Sequence, residues 1–435
     1  MSHRITWLAG LLAVIPGGQL TAQGIDAALA REYFAEADML GLESTRLWGI
    51  PLHGPMILVE QGTRQALANA PDTSGVLRAV DGVWTGVLPD NVGIANTAVE
   101  WGGRRWTMLV WPLPYGRMSR WRLLTHEMFH RAQPELGLPG RDATNAHLDT
   151  EDGRLLLRLE WRALQLALAD SGAARRAAIA DAMLFRTRRH ERFPAAADEE
   201  RQLELNEGLA EYTGIAVAVP VNARAGWAAA QIESYDARAA NGSIGRSFAY
   251  ATGPALGILL DAADPDWRQR VGPDTDLASL LARAHRLPPE PTGELNDRWT
   301  KYDGARLAAE ELGRADEIAE RDALMRSRFV DGPTLTLPST GALRYTFNPN
   351  EVVPFGEGGT VYLTTEVRDA WGLLKVTMDG ALLIREAGRI ARVIVPAPAQ
   401  PEASPLHGPG WTLDLAEGWA VVPGASAGDF TLSRR

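Results

Sequence analysis

Residues 119–328 read as helix after helix, with long Ala-, Leu- and Arg-rich runs at 154–170, 173–189 and 199–217. On either side the texture is that of strands. From 23 to 115 a short helix over 26–39 gives way to β-like runs at 56–60 and 106–111, the last closed by Pro112, Pro114 and Gly116. After Val330 the chain turns to Pro, Gly and Thr with short alternating runs, TVYLTTEV from Thr360 and LLKVTM from Leu373. Asp379-Gly380 between LLKVTM and ALLIRE predicts a two-residue hairpin, because that pair takes the positive φ angles such a turn needs. The expected fold is therefore α+β: a strand-rich lobe over 23–118, a helical lobe over 119–330 and a β-sandwich-like domain over 331–435.

A chain of 435 residues has room for more than one core. Its formal net charge of -10 gives no global basic field to attract phosphate backbones, so nucleic acid is not an expected partner. The start differs in character from the rest. His3 and Arg4 precede an apolar stretch, 5–15, too short to span a bilayer, which predicts a signal peptide over 1–22 with cleavage after Ala22. A periplasmic or secreted location without a transmembrane segment follows as the expectation. The absence of cysteine excludes disulfides and does not contradict export.

In the helical region the segment THEMFH places His126 and His130 four apart, one turn apart on one helix face, where two imidazoles can hold one ion. Glu127 lies beside them, placed to take a proton from water that a zinc ion acidifies and to pass it to a leaving amine. Trp121, Leu124 and Met128 recur at helical spacing as the core-facing stripe. The glycine and third histidine of a metzincin are missing, since Gln133 and Leu136 stand at those places. A third ligand must come from elsewhere. Glu204, Glu207 and Glu211 share the spacing of one helical face, and His147, His190 and Glu160 are further candidates.

The segment LELNEGLAEY, with HExxH upstream, resembles the gluzincins of the aminopeptidase N clan, which join HExxH to a later NEGxA. The resemblance implies a thermolysin-like zinc catalytic architecture, with Glu207 as third ligand and a long insertion between 149 and 189. Glu211 is then a partner for a ligand histidine N–H. SFAYATGPALGILLD resembles the clan's Tyr-x-x-Gly segment, with Thr252 in place of its lysine, and implies that Tyr250 stabilises the transition state. AVEWGG stands where the clan has GxMEN, with Thr97, Val99 and Trp101 in place of its glycine, methionine and asparagine. Glu100 is the corresponding candidate for binding a substrate amino terminus, and a carboxylate near a turn at Gly102-Gly103 is the alternative. The expectation is an exported zinc metallopeptidase acting on peptide or protein substrates, as an exo- or an endopeptidase. The alternatives are another zinc hydrolase on the same scaffold and a zinc-stabilised envelope binding protein.

Overall fold

A computed structural model describes residues 24–138, 140, 143–239, 242–288, 295–348, 351–356 and 358–435. The expected signal peptide lies outside these residues. Contacts divide the chain into two compact units, the first ending at Glu311 and the second starting at Leu312. The architecture is mixed α+β, with an N-terminal sheet, a helical region and C-terminal sheets.

The first unit opens with α1 (Ala27–Trp48), whose N-terminal amides at Ala28 and Leu29 are capped by the Asp26 carboxylate. Six strands follow: β1 (Met56–Glu60), β2 (Gln65–Ala68), β3 (Arg78–Val80), β4 (Val83–Val87), β5 (Thr97–Trp101) and β6 (Arg104–Trp111). They form one sheet in the order β3-β4-β2-β1-β6-β5, with only the β1/β6 pair parallel. Gly102 and Gly103, with φ of 55° and 71°, close the β5/β6 hairpin, which leaves β5 as an edge strand. Alternation along β6 separates two cores. Trp106 and Met108 pack with Ile57 and Val59 on one face, whereas Leu109 joins Leu58, Leu124 and Met128 on the other. The strand-rich and helical stretches thus share a core.

The helical stretch begins with α2 (Arg117–Ala132), which carries THEMFH and buries Leu124, Met128 and Phe129. Next come α3 (Glu151–Ala169) and α4 (Gly172–Arg192), then α5 (Ala196–Leu203), a π turn over Glu204–Gly208, and α6 (Leu209–Ala218). The unit continues with α7 (Arg224–Ala239), α8 (Ala249–Ala263), α9 (Leu277–Ala284) and α10 (Leu295–Trp299). The division into units falls within α11 (Gly304–Arg326).

In the second unit a seven-stranded and a five-stranded sheet share a core, with Leu335, Leu383 and Val393 of one meeting Leu374, Trp411 and Leu413 of the other. Strands start after Val330, as the change of texture suggests, but the unit begins at Leu312. Met325 and Phe329 account for this, because they bury against Val361 and Leu382. The expected hairpin at Asp379-Gly380 needs correction. Both residues do have positive φ, 65° and 82°, yet strand Gly372–Val376 belongs to the five-stranded sheet and strand Ala381–Glu386 to the seven-stranded one. The turn carries the chain from one sheet to the other, and the Thr377 and Met378 amides donate to the Gly410 carbonyl instead of across a hairpin.

Candidate metal centre

Helix α2 presents His126 and His130 one turn apart, with their Nε2 atoms 3.0 Å from each other. Glu207 comes to the same point from the π turn, its Oε2 at 3.4 Å from His126 Nε2 and 3.3 Å from His130 Nε2. Zinc–ligand distances of about 2.0 Å imply a tetrahedral edge of roughly 3.3 Å, so three donors at this separation fit one such ion. Among the described residues this is the group of His and carboxylate side chains that can hold a metal, and its chemistry does not by itself name the ion. The three donors line a cavity of about 590 Å³ together with Glu127 and Tyr250.

The outer nitrogens of both rings are engaged. His126 Nδ1 donates to Glu211 Oε2 at 3.0 Å, and Glu211 is held in turn by Arg122 and by Gln231 at 2.6 Å. His130 Nδ1 donates to Gln133 Oε1 at 2.9 Å, while the Gln133 amide donates to the Asn206 carbonyl at 3.3 Å and to its side-chain oxygen at 3.2 Å. With each Nδ1–H spent outward, the Nε2 atoms face the shared point, and each offers a lone pair to a metal ion that displaces its proton. Sequence reasoning read Gln133 only as an argument against a metzincin. Its spacing of three from His130, at the C-cap of α2, is the available signal.

The π turn explains which glutamates arrive. In an uninterrupted helix Glu204, Glu207 and Glu211 would share a face, but the wider turn advances the later residues relative to the earlier ones. Glu204 consequently points away from the histidines and is buried, 1% exposed. It pairs with Arg186, which also binds Glu160, and Arg189 joins Glu160 to Glu200. His147 and His190 both bind Glu200. The other candidate ligands therefore belong to a buried charge cluster between α3, α4, α5 and the π turn, away from the metal centre.

Tyr250 reaches the site because α8 packs very close to the π turn. A Cβ on Gly253 would lie 2.2 Å from Gly208 Cα, so both glycines are required by this approach. The Tyr250 hydroxyl donates to Glu207 Oε2 at 2.6 Å, and its ring stacks on His126 with centroids 5.6 Å apart. Thr252 faces the other way and accepts from Trp161 of α3 at 2.9 Å. Two further tyrosines lie nearby: Tyr212 donates to Asp261, and Tyr235 stacks on Tyr250. Glu100, on the edge strand, is 67% exposed, binds Arg105 at 3.0 Å and lies outside the cavity lining.

Electrostatically the site favours a cation. Burial alone would lower the His126 pKa, but hydrogen bonds to Glu207 and Glu211 and the nearby Glu127 charge raise it to about 10. Glu207 is penalised by burial yet held well below the usual carboxylate range by the two histidines and Tyr250. Burial pushes Glu127 up, against the pull of His126 and His130, and its Oε2 has no hydrogen-bond partner among the described residues. Burial and the Glu207 charge push Tyr250 up, so its hydroxyl keeps its proton. Compared with family models, curated proteins and solved structures, the chain matches none.

Proposed function

We propose that this chain is an exported zinc-dependent peptidase of the gluzincin type, with a thermolysin-like arrangement of sheet, metal helix and glutamate helix. The observation that carries the reading is one cavity in which His126, His130 and Glu207 converge beside a buried Glu127 whose Oε2 lacks a partner. A bound zinc ion would supply Lewis acidity, polarising a scissile carbonyl and acidifying water.

The chain's own groups account for the remainder. Glu127, with its carboxyl shifted up from the usual range, accepts a proton from water at a carboxylate oxygen and delivers it to the leaving amine nitrogen. Tyr250 retains its proton and can redirect its hydroxyl from Glu207 to the oxygen on which negative charge develops. Glu211 and Gln133 hold the two rings in the tautomer that leaves Nε2 free for the ion. A peptide laid along the outer edge of β5, where Thr97 and Ala98 line the cavity, would pass in front of these groups.

The test combines metal analysis with hydrolysis of a panel of free and blocked peptides. The wild type should hold about one zinc per chain and lose hydrolysis to a chelator, with zinc restoring it. Glu127→Gln should keep the metal and lose about 100-fold or more in kcat, because the proton acceptor is gone. Tyr250→Phe should also keep the metal, with kcat lower by about 100-fold. Unchanged kcat in Glu127→Gln, or full zinc in both His126→Ala and His130→Ala, would overturn the reading.

A further inference from the structure

Arg105 stands opposite Glu100 in the β5/β6 ladder, and its side chain crosses to the end of α2. There Nε donates to the Arg131 carbonyl at 3.0 Å and Nη2 to the His130 carbonyl at 3.1 Å. These carbonyls close the last turn of the metal helix and bear its partial negative charge, so the guanidinium is pinned before any substrate arrives. Nη1 donates to Glu100 at 3.0 Å. Three of the five N–H groups of a guanidinium are thereby used, and the side chain remains one-third exposed (33%).

Arg105 also lines the same cavity as His126, Glu127, His130 and Glu207. Among the described residues of that lining the other ionisable groups belong to the metal centre, which leaves Arg105 as their fixed cation. The Glu100 carboxylate that partly balances it is two-thirds exposed and outside the lining, and such exposed pairs contribute little. A substrate amine would meet a positive charge here. A carboxylate would meet a planar, pre-oriented donor fork.

We propose that Arg105 determines specificity by binding a carboxylate of the peptide substrate, supplied by an acidic side chain or by the C-terminus. This rests on the peptidase reading and deepens it. Two matched peptide series distinguish the sources. One replaces an internal Glu by Gln on either side of the scissile bond, and the other converts a free C-terminus to the amide.

Wild-type kcat/KM should favour the carboxylate member of one series by about ten-fold, mainly through KM. In Arg105→Gln the ratio should fall to about one, Arg105→Lys should restore part of it, and Glu100→Gln should increase it by removing a competing carboxylate. Zinc content separates recognition from a structural role. An Arg105→Gln variant that loses zinc and slows on both members of each pair equally would show only a clamp on the metal helix, and would overturn the proposal. So would a wild type that cleaves both members alike, while leaving the peptidase reading intact. Binding of the same peptides to zinc-loaded Glu127→Gln gives a readout independent of hydrolysis. Arg105-dependent preference there would sustain carboxylate recognition even if the wild type cleaved nothing, and equal binding of all peptides would sink it.

Discussion

Gln133 links two parts of the metal centre that come from distant stretches of sequence. Its side-chain oxygen fixes His130, and its amide reaches Asn206, the residue before Glu207. Gln133→Ala should therefore weaken zinc binding by about ten-fold or more without removing a ligand, as competition with a chromogenic chelator would show. Unchanged affinity would mean that packing alone orients the His130 ring. The HExxH histidines were legible from spacing, because a regular helix brings residues four apart onto one face. Choosing among Glu204, Glu207 and Glu211 was not possible from that spacing, since the π turn changes the phase of the helix between them. The role of Arg105 left no local trace either, as its contacts join a strand to the end of a helix.

At the level of elements, the long stretch between the metal helix and Glu207 supports the site. Helices α3 and α4 contribute Glu160, Arg186 and Arg189, and these hold Glu200 and Glu204 at the entrance to the π turn. Burial weakens the charged form of arginine, but Glu160 and Glu204 more than compensate and hold Arg186 well above its ordinary pKa. Replacing Arg186 by Leu would leave two buried carboxylates without their shared cation. The expected loss is about 3–5 kcal/mol of stability in denaturant unfolding, with weaker zinc binding as the π turn relaxes. A loss below 1 kcal/mol would show that the cluster does not brace that turn. The same logic limits sequence reading of the hairpin at Asp379-Gly380. The dipeptide specifies a turn, but strand partners are chosen by the two sheets that share the sandwich core.

For the whole molecule, two compact units with separate cores predict a selective response to metal. The proposed zinc site is made entirely of residues before Glu311, so zinc should raise the melting transition of the first unit and leave that of the second in place. At a thousand-fold excess over its Kd the stabilisation should be about 4 kcal/mol, measurable by calorimetry with and without a chelator. Equal shifts of both transitions would contradict this assignment. The sequence by itself determined the order of strand-rich, helical and strand-rich stretches, because hydrophobic period and turn residues are local properties. It also determined the HExxH pair, whose geometry one helix fixes. Only tertiary structure decided that the first two stretches share a core, that Glu207 and Glu211 rather than Glu204 reach His126, and that Gly208 against Gly253 brings Tyr250 to Glu207. Each of these depends on close approach between segments far apart in the chain, where packing rather than local preference sets the outcome.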